Sequence, residues 1–461
     1  MSTRTGPARP SVTGATEALD AYLLRQGTEG RPPLRYLRRK PGRGLVAVFG
    51  PGEQGDIYTV TVDERSLLEQ PDAATPGATV QQFPVDPQLP HLDTVMTPSE
   101  HGPLAAALES AARRVHDVPP GWHLLDVVAE RVRYKPGDRC VLRYRLRFRD
   151  PAAAGGAGTA TRTCTLVAKL YREQSEAQAA DDLLARLRTD AAVTWTARPL
   201  GVAPGLPLAL TEDLGSSRDR VPARSGLHVV HPGSEEALDV VRGAARALAE
   251  LHTSRLDTGD LNRRTGVDEA GKAAKRAKLL EQYVPGLAPE VRQVAGALCA
   301  RLEGLPADTV RPGHGSYKPS QLLVRDGAVF LVDFDQFCLA DPALDVGYFL
   351  AYLRPAGLWY RRAGRRAWFE ATAEAFLTAY LHRLAERGES AATCAGIAGR
   401  APVFEAALLL KIAARRANRL HSPRPGEVAA VLDEVSRSLA LAEARRTPVR
   451  RTPTPRMPIS G

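Results

Sequence analysis

Cysteine is scarce in this sequence and is not arranged to bind metal or to form a disulfide framework. The five cysteines among 461 residues are an odd number, lie far apart and never follow a Cys-x-x-Cys spacing. This pattern predicts free thiols in a reducing compartment. No apolar run approaches the ~18 residues that a membrane span requires, and the N-terminal MSTRTGPARPSVTG has no apolar core of a secretion signal. We therefore expect a cytoplasmic protein with no membrane partner.

Two common catalytic signatures are also missing. The chain has no His-Glu-x-x-His and no Gly-x-Ser-x-Gly, and its histidines and cysteines are never spaced as metal ligands. These absences exclude the zincin metalloproteases and the hydrolases whose nucleophilic serine lies in a Gly-x-Ser-x-Gly turn. The chemistry must therefore be carried by other groups.

The excess of positive charge lies mostly at the two ends of the chain. The formal net charge is +10. Residues 1–14 contain two arginines and no acid, and residues 445–461 contain five arginines and no acid, so these segments supply seven of the ten charges. Their composition is typical of disordered tails, and the body between them is close to neutral. We therefore expect no specific nucleic-acid partner.

Composition and periodicity divide the chain into parts of different character. A predicted hairpin (44–49 paired with 57–62) and a predicted helix at 104–115 precede a part rich in strands. A long helical part follows, interrupted by a short β segment at 321–333. The expected units are a disordered tail, an N-terminal extension, a β-rich lobe, a helical lobe and a disordered basic tail: 1–14, 15–120, 121–214, 215–445 and 446–461.

The strongest local signal is HGSYKPSQLLVRDGAVFLVDFDQF, residues 314–337. It resembles the catalytic segment of aminoglycoside phosphotransferases and choline-kinase-like enzymes, in which His-Gly-Asp precedes an Asn and, after a hairpin, Ile-Asp-Phe. The His-Gly pair matches, but Ser316 takes the place of the catalytic Asp. Gln321 takes the place of the Asn, and Asp333 matches the metal-binding Asp.

The resemblance covers roughly residues 121–445 and implies both a fold and an activity. The implied fold is α+β, a bilobal protein-kinase-like fold with a β-rich N-lobe and a mainly helical C-lobe, to which this chain adds an N-terminal α/β extension. The implied activity is phosphoryl transfer from ATP, with Mg²⁺, to a hydroxyl of a small molecule. Such transfer depends on positioning and charge neutralisation more than on covalent catalysis.

The resemblance also implies roles for residues of the catalytic segment. Asp333 and Gln321 are expected to bind Mg²⁺, although the Gln321 side chain is one methylene longer than Asn. Lys318 matches the protein-kinase lysine that contacts the transferred phosphate, and an exposed loop lysine is the alternative. Ser316 with water, or Asp335, is expected to activate the acceptor hydroxyl. A turn-capping role after a strand is the alternative for Asp333 and Asp335.

A second motif, TLVAKLYRE at residues 165–173, resembles the third-strand lysine motif of kinases. It implies that Lys169 holds the ATP phosphates and pairs with an acid of the following helix. Glu176 is the first choice of partner, with Asp181 and Asp182 next.

Two further segments are expected to meet the nucleotide. LALTEDLG resembles the hinge of kinases, where backbone groups of Thr211, Glu212 and Asp213 would meet adenine. KPGDR occupies the turn that often carries glycines in kinases. Its Lys135 and Arg139 either offer charge to phosphates or are solvated turn residues.

Two hypotheses of different classes therefore remain. The first is an ATP- and Mg²⁺-dependent phosphotransferase with a degenerate catalytic loop, whose partners are a nucleotide and a small-molecule hydroxyl acceptor. The second is a pseudokinase, a module that binds a nucleotide or metabolite without catalysis. Ser316 and Gln321 favour the second, whereas Lys169, Lys318 and Asp333 favour the first. No motif specifies the acceptor or the oligomeric state.

Overall fold

A computed structural model describes most of the chain: residues 12–28, 30–40, 44–51, 55–63, 77–99, 101–151, 160–190, 193–215, 224–225, 235–257, 259, 261–306, 310–353, 366–417 and 425–446. The α-helices in these ranges are α1 (Val12–Arg25), α2 (Leu92–Met96), α3 (Pro103–Val115), α4 (Gln174–Leu187), α5 (Glu235–His252), α6 (Gly266–Tyr283), α7 (Ala288–Glu303), α8 (Ala343–Leu353), α9 (Arg366–Glu386), α10 (Ala391–Ala417) and α11 (Pro425–Arg446). The strands are β1 (Leu34–Lys40), β2 (Gly44–Phe49), β3 (Tyr58–Val62), β4 (Ala78–Gln82), β5 (His123–Lys135), β6 (Arg139–Arg149), β7 (Thr161–Leu170), β8 (Pro199–Val202), β9 (Leu208–Glu212), β10 (Arg224–Ser225), β11 (Arg263–Arg264), β12 (Arg311–Gly313), β13 (Leu322–Arg325), β14 (Ala328–Leu331) and β15 (Cys338–Ala340). Short 3-10 helices are Pro285–Leu287 and Pro319–Gln321.

The first helix and the first four strands form a small unit, the N-terminal module. β1–β4 pair in chain order as an antiparallel sheet. α1 packs on β3 and β4 and buries Leu19 and Leu23 in the core of this module. The hairpin predicted at 44–49 and 57–62 is observed as β2 and β3. The sequence pattern therefore located the centre of the module.

Helices α2 and α3 pack against the second sheet rather than against the N-terminal module. α3 presents Leu104, Leu108 and Ala111 on one face. These residues are buried in the same hydrophobic cluster as Leu142 of β6 and Leu166 of β7. The hydrophobic cores therefore divide near residue 83, upstream of the boundary expected at 120.

The second sheet has the strand order β5-β6-β7-β9-β8, and every neighbouring pair is antiparallel. Alternate residues of β6 from Cys140 to Phe148 are buried, as expected for a strand with one face on the core. β7 lies at the centre of the sheet. Lys169 stands opposite Val141 on one side and Ala209 on the other. α4 follows β7 and packs on β8 and β9.

From α5 onward the described chain is mainly helical. Short strands form two three-stranded sheets among the helices, in the orders β10-β13-β14 and β11-β15-β12. Stacked aromatic rings fill the centre, with centroid distances of 5.2 Å between Tyr317 and Phe349 and 4.2 Å between Phe349 and Phe376. The predicted α+β class, with a β-rich part before a helical part, is confirmed.

The ends of the chain differ slightly from the expected units. α1 begins at Val12, inside the tail expected at 1–14, and α11 extends to Arg446. Residues 1–11 and 447–461 lie outside the described residues. In the described ranges, no helix is both long enough and apolar enough to cross a bilayer.

Candidate functional site

The β13–β14 hairpin brings Gln321 and Asp333 together. Its turn residues, Asp326 and Gly327, both have positive φ (52° and 75°), as a two-residue type I′ turn requires. The Val332 N–H donates to the Gln321 carbonyl at 3.0 Å and closes the open end of the hairpin. The Gln321 Nε2 then lies 3.3 Å from a carboxylate oxygen of Asp333. Residues twelve positions apart thus share one site.

The loop that carries Ser316 is held by buried groups. Asp345, 1% exposed, accepts hydrogen bonds from the Gly315 N–H at 3.2 Å and the Tyr317 N–H at 3.4 Å. Gly315 has a φ of +73°, and a Cβ on it would lie 1.9 Å from the Gln336 carbonyl oxygen. Only glycine fits such a position. The backbone of the loop is therefore fixed from both sides.

Ser316, Gln321 and Asp333 form one hydrogen-bonded row. The Gln321 Nε2 donates to the Ser316 hydroxyl at 3.0 Å as well as to Asp333. The Gln321 Oε1 is buried and has no hydrogen-bond partner within the described part of the chain. Asp333 adopts a φ of +70°, a strained conformation for a residue other than glycine that is common at functional sites.

Lys169 reaches across from the second sheet to the catalytic segment. Its ammonium lies 3.0 Å from Asp333 and 2.5 Å from Asp335. Arg139 also contacts Asp335 and lies 3.7 Å from Asp333. The Tyr171 hydroxyl donates to Asp335 at 3.2 Å. Two cations from the sheet therefore meet two carboxylates from the catalytic segment.

The electrostatics of this ion cluster follow from burial and opposite charge. Burial lowers the pKa of Lys169 to about 8, against the attraction of Asp333. Burial raises the pKa of Asp333, but the charge and hydrogen bond of Lys169, the hydrogen bond of Gln321 and the charge of Arg139 outweigh it and hold this pKa well below its usual range. The Asp333 carboxylate is therefore ionised at neutral pH.

The expected partner of Lys169 on α4 is not the one that the structure brings to it. Glu176 is exposed and closes a capping box, in which its carboxylate accepts from the N–H groups of Arg172 and Glu173. The N–H groups at the start of α4 thus bind the carboxylate that was expected to pair with Lys169. Asp181 accepts from Gly201 N–H at 2.9 Å, and Asp182 from the Gln178 amide at 2.9 Å.

The three expected hinge residues lie at the end of β9, where their side chains stabilise the sheet. The Asp213 carboxylate accepts from Arg143 Nε and from Gly215 N–H, each at 2.8 Å. The Glu212 carboxylate accepts from Arg198 N–H at 2.7 Å, while its own N–H donates to the Arg198 carbonyl. The Thr211 hydroxyl lies 3.4 Å from the Val167 carbonyl oxygen.

A comparison with models of known protein families identifies the family of this chain. Residues 156–392 match the model of the phosphotransferase enzyme family, APH. The chain belongs to this family. The matched range includes both Lys169 and the whole catalytic segment.

Solved structures similar to this family member include several kinases. A choline/ethanolamine kinase family protein from Mesorhizobium loti is 17% identical, with 74% of this chain and 98% of that chain covered and a TM-score of 0.43. A glucosamine kinase in complex with glucosamine, ADP and inorganic phosphate is 18% identical, with 90% and 96% covered and a TM-score of 0.46. The amicoumacin kinase hAmiN in complex with AMP-PNP and Ca²⁺ is 15% identical, with 73% and 93% covered and a TM-score of 0.44. No curated protein matches the sequence significantly.

The donor set of this phosphotransferase-family chain fits Mg²⁺. The described residues contain no group of three or more His, Cys, Asp or Glu that could hold a metal ion alone. Mg²⁺ does not need one, because it commonly takes one or two carboxylates and completes its shell with phosphates and water. Asp333 offers the carboxylate, and the unpaired Gln321 Oε1 offers a second hard oxygen.

Several residues of the site were not identified from the sequence. Tyr171 directly follows the strand that carries Lys169, and Arg264 donates to the Gly315 carbonyl at 2.6 Å. Tyr171 lies within the motif TLVAKLYRE but has no role in the resemblance, and Arg264 belongs to no motif. Asp345 belongs to no motif either, and it holds the loop that carries Ser316. Lys135 pairs with Asp138 at the turn rather than with the ion cluster.

Proposed function

We propose that the protein binds ATP with Mg²⁺ between the second sheet and the catalytic segment, and transfers the γ-phosphate to a hydroxyl of a small molecule. The observation that carries this proposal is the ion cluster. Lys169 comes from the sheet, and Asp333 and Asp335 from a hairpin more than 160 positions later. A lysine opposite a metal-binding carboxylate is the arrangement that phosphoryl transfer requires.

Each residue of the cluster has a role in this reaction. Lys169 and Arg139 turn from the carboxylates to the phosphates of the nucleotide and hold them. Asp333 and Gln321 hold Mg²⁺, which neutralises charge on the β- and γ-phosphates when it is bound. Lys318, whose pKa is lowered by burial, lies within electrostatic reach of Asp333 and stabilises charge on the transferred group.

Ser316 limits the rate of this reaction. Its hydroxyl accepts a hydrogen bond from Gln321 and is able to orient an acceptor hydroxyl, but serine is a poor proton acceptor at neutral pH. Asp335, the alternative base, accepts hydrogen bonds from Lys169 and Tyr171 at one oxygen and has an ion-pair contact with Arg139 at the other. A positioned base contributes typically ~10²–10⁴-fold, so we propose slow turnover rather than none.

Binding of the nucleotide is the first test. Isothermal titration of the wild-type protein with ATP and Mg²⁺ is expected to give saturable binding. Lys169→Met and Asp333→Asn are each expected to weaken it at least tenfold, because each removes a charge that meets phosphate or metal. Glu176→Gln is the matched control, since its carboxylate caps α4, and it should leave the affinity unchanged. Failure of the wild-type protein to bind millimolar ATP would overturn the proposal.

The alternative function is a pseudokinase, and the ion cluster also supports it. Arg139 and Lys169 already neutralise Asp333 and Asp335, so the carboxylates do not need a metal to be stable in the fold. The two functions differ in one measurement. ATP binding without any acceptor-dependent release of ADP, across neutral, cationic and anionic acceptors, would favour the pseudokinase.

A further inference from the structure

Tyr171 contacts two of the charged groups that join the second sheet to the catalytic segment. Its hydroxyl donates to Asp335 Oδ1 at 3.2 Å, and the Lys169 ammonium lies 5.2 Å from the centre of its ring. The Lys169 ammonium donates to the same oxygen of Asp335 at 2.5 Å. One carboxylate oxygen therefore accepts from a neutral donor and from a charged donor, and these two donors also contact each other.

The backbone holds Tyr171 in place independently of these groups. Tyr171 directly follows β7, and its N–H donates to the Pro207 carbonyl at 2.9 Å, immediately before β9 begins. Burial raises the pKa of the Tyr171 hydroxyl well above its usual value, so the hydroxyl stays protonated at neutral pH and remains a hydrogen-bond donor. A nucleotide that draws Lys169 away would thus leave the Tyr171 hydroxyl where it is.

Asp335 depends on protein donors because water reaches it only in part. Its side chain is 14% exposed, and its second oxygen, Oδ2, contacts Arg139. Under the proposed function, Lys169 and Arg139 both turn to the phosphates of the nucleotide. Among the described residues, Tyr171 is then the remaining hydrogen-bond donor to this carboxylate. A carboxylate that is largely buried and has no donor is costly, so without this hydroxyl Asp335 would oppose the departure of Lys169.

We propose that Tyr171 is a positioning residue for nucleotide binding, whose hydroxyl keeps Asp335 hydrogen-bonded while Lys169 leaves that carboxylate for the phosphates. This inference rests on the proposed function, because it assigns Tyr171 a part in the exchange of Lys169 between carboxylate and phosphate. The ring contributes separately, since a cation near an aromatic face is attracted to it.

The substitution Tyr171→Phe isolates the hydroxyl, because the ring beside Lys169 is retained. Titration with ATP at a fixed, saturating Mg²⁺ concentration is expected to show binding about tenfold weaker than in the wild type, the loss that one hydrogen bond to a charged group represents. Thermal unfolding without nucleotide should change little, because Lys169 still occupies the Asp335 oxygen. Tyr36→Phe, which removes the hydroxyl of another half-buried tyrosine, on β1, is the matched control and should leave both measurements unchanged.

A double-mutant cycle with Asp335→Asn separates this role from a merely structural one. The asparagine has no charge that competes for Lys169, and a neutral amide oxygen is less costly to leave without a donor. In the Asp335→Asn background, Tyr171→Phe should therefore weaken ATP binding by less than about twofold. An equal loss of affinity in both backgrounds would overturn the inference. A marked fall in the unfolding temperature of Tyr171→Phe with unchanged ATP affinity would also overturn it.

The wild-type titration distinguishes this inference from the proposed function. A wild-type protein that does not bind ATP would overturn both, because no phosphate then takes Lys169 from Asp335. Equal ATP affinity in the wild type and in Tyr171→Phe would overturn the role of Tyr171 and leave the proposed phosphotransfer unaffected. The expected result is a loss of affinity in Tyr171→Phe that depends on the carboxylate of Asp335.

Discussion

The Ser316 side chain belongs to the hydrogen-bonded row with Gln321 and Asp333, the two residues that we propose as Mg²⁺ ligands. Its hydroxyl is linked through Gln321 to Asp333, while Lys169 and Arg139 contact the carboxylates of Asp333 and Asp335. Under the proposed function, a change at Ser316 is therefore expected to act on the acceptor hydroxyl and not on the phosphates that remain with ADP.

The substitution Ser316→Asp is expected to raise the rate of transfer. A carboxylate at this position accepts the proton of the acceptor hydroxyl, and the gain has a ceiling of ~10²–10⁴-fold. Affinity for ATP should change little. Steady-state release of ADP across neutral, cationic and anionic acceptors measures the effect, and Ser316→Ala is the control for loss of the hydroxyl. Wild-type turnover at the ~1–100 s⁻¹ of ordinary kinases would contradict this view of Ser316.

Motif spacing predicted the site better than it predicted side-chain pairing. The two motifs placed Lys169 and Asp333 together, and the structure has them 3.0 Å apart. Glu176 was expected beside Lys169 because kinases pair a lysine with a helix acid. At the third residue of a helix, however, a glutamate also reaches back to free N–H groups. Competition of this kind depends on the path of the backbone, which a motif does not record.

At the scale of elements, the turn between β5 and β6 connects the N-terminal part of the chain to the ion cluster. Asp86, which follows the N-terminal module, is 6% exposed. Its carboxylate accepts from Gly137 N–H at 2.7 Å and from the Tyr134 hydroxyl at 2.8 Å. Arg139, at the other end of the turn, contacts Asp335. Asp86 therefore helps to position Arg139.

The substitution Asp86→Ala is expected to lower both stability and nucleotide affinity. It removes the acceptor of the Gly137 N–H and of the Tyr134 hydroxyl, at a cost of roughly 1–3 kcal/mol for each donor that stays buried. Thermal unfolding measures the first effect and titration with ATP and Mg²⁺ the second. Asp93→Ala, an exposed acid on α2, is the control. In combination with Arg139→Gln, the loss of affinity should not add, because both changes act on one contact; additive losses would contradict the coupling.

Patterns within one element were easier to predict than contacts between elements. Apolar and basic residues alternate along β6, a pattern typical of a strand with one buried face, and the apolar residues are the ones that cover the core. The apolar face of α3 predicted a helix, but its periodicity does not specify which of two sheets it covers. The division of the cores near residue 83, rather than at 120, depends on that choice.

At the scale of the whole molecule, the site that we propose for nucleotide and metal is already charge-balanced. Arg139 and Lys169 neutralise Asp333 and Asp335 across the boundary between sheet and catalytic segment. Mg²⁺ that binds without ATP is repelled by Arg139 and Lys169, and ATP that binds without Mg²⁺ is repelled by the carboxylates of Asp333 and Asp335. If both bind as proposed, the cations would turn to phosphate and the carboxylates to metal, so each ligand would remove the repulsion that opposes the other.

ATP and Mg²⁺ are therefore expected to bind with positive cooperativity. The affinity for ATP should rise at least tenfold with Mg²⁺, a coupling within the 1–3 kcal/mol that is usual between linked sites. Titration of ATP at several Mg²⁺ concentrations measures it. In Arg139→Gln the coupling should shrink, because one of the competing cations is gone. Equal ATP affinity with and without Mg²⁺ would contradict the proposed exchange, in which the cations leave the carboxylates for phosphate and the carboxylates bind the metal.

The β13–β14 hairpin makes the site more sensitive to insertions and deletions than to replacements. Side chains alternate between faces along a strand, so one residue added between Gln321 and Asp333 would turn one of them away from the other. Replacement of a single side chain, as at Ser316 or Gln321, leaves the register of the hairpin intact. The number of residues between Gln321 and Asp333 thus sets their relative position. As long as that number is constant, the side chains at these positions can change without a change in the backbone of the site.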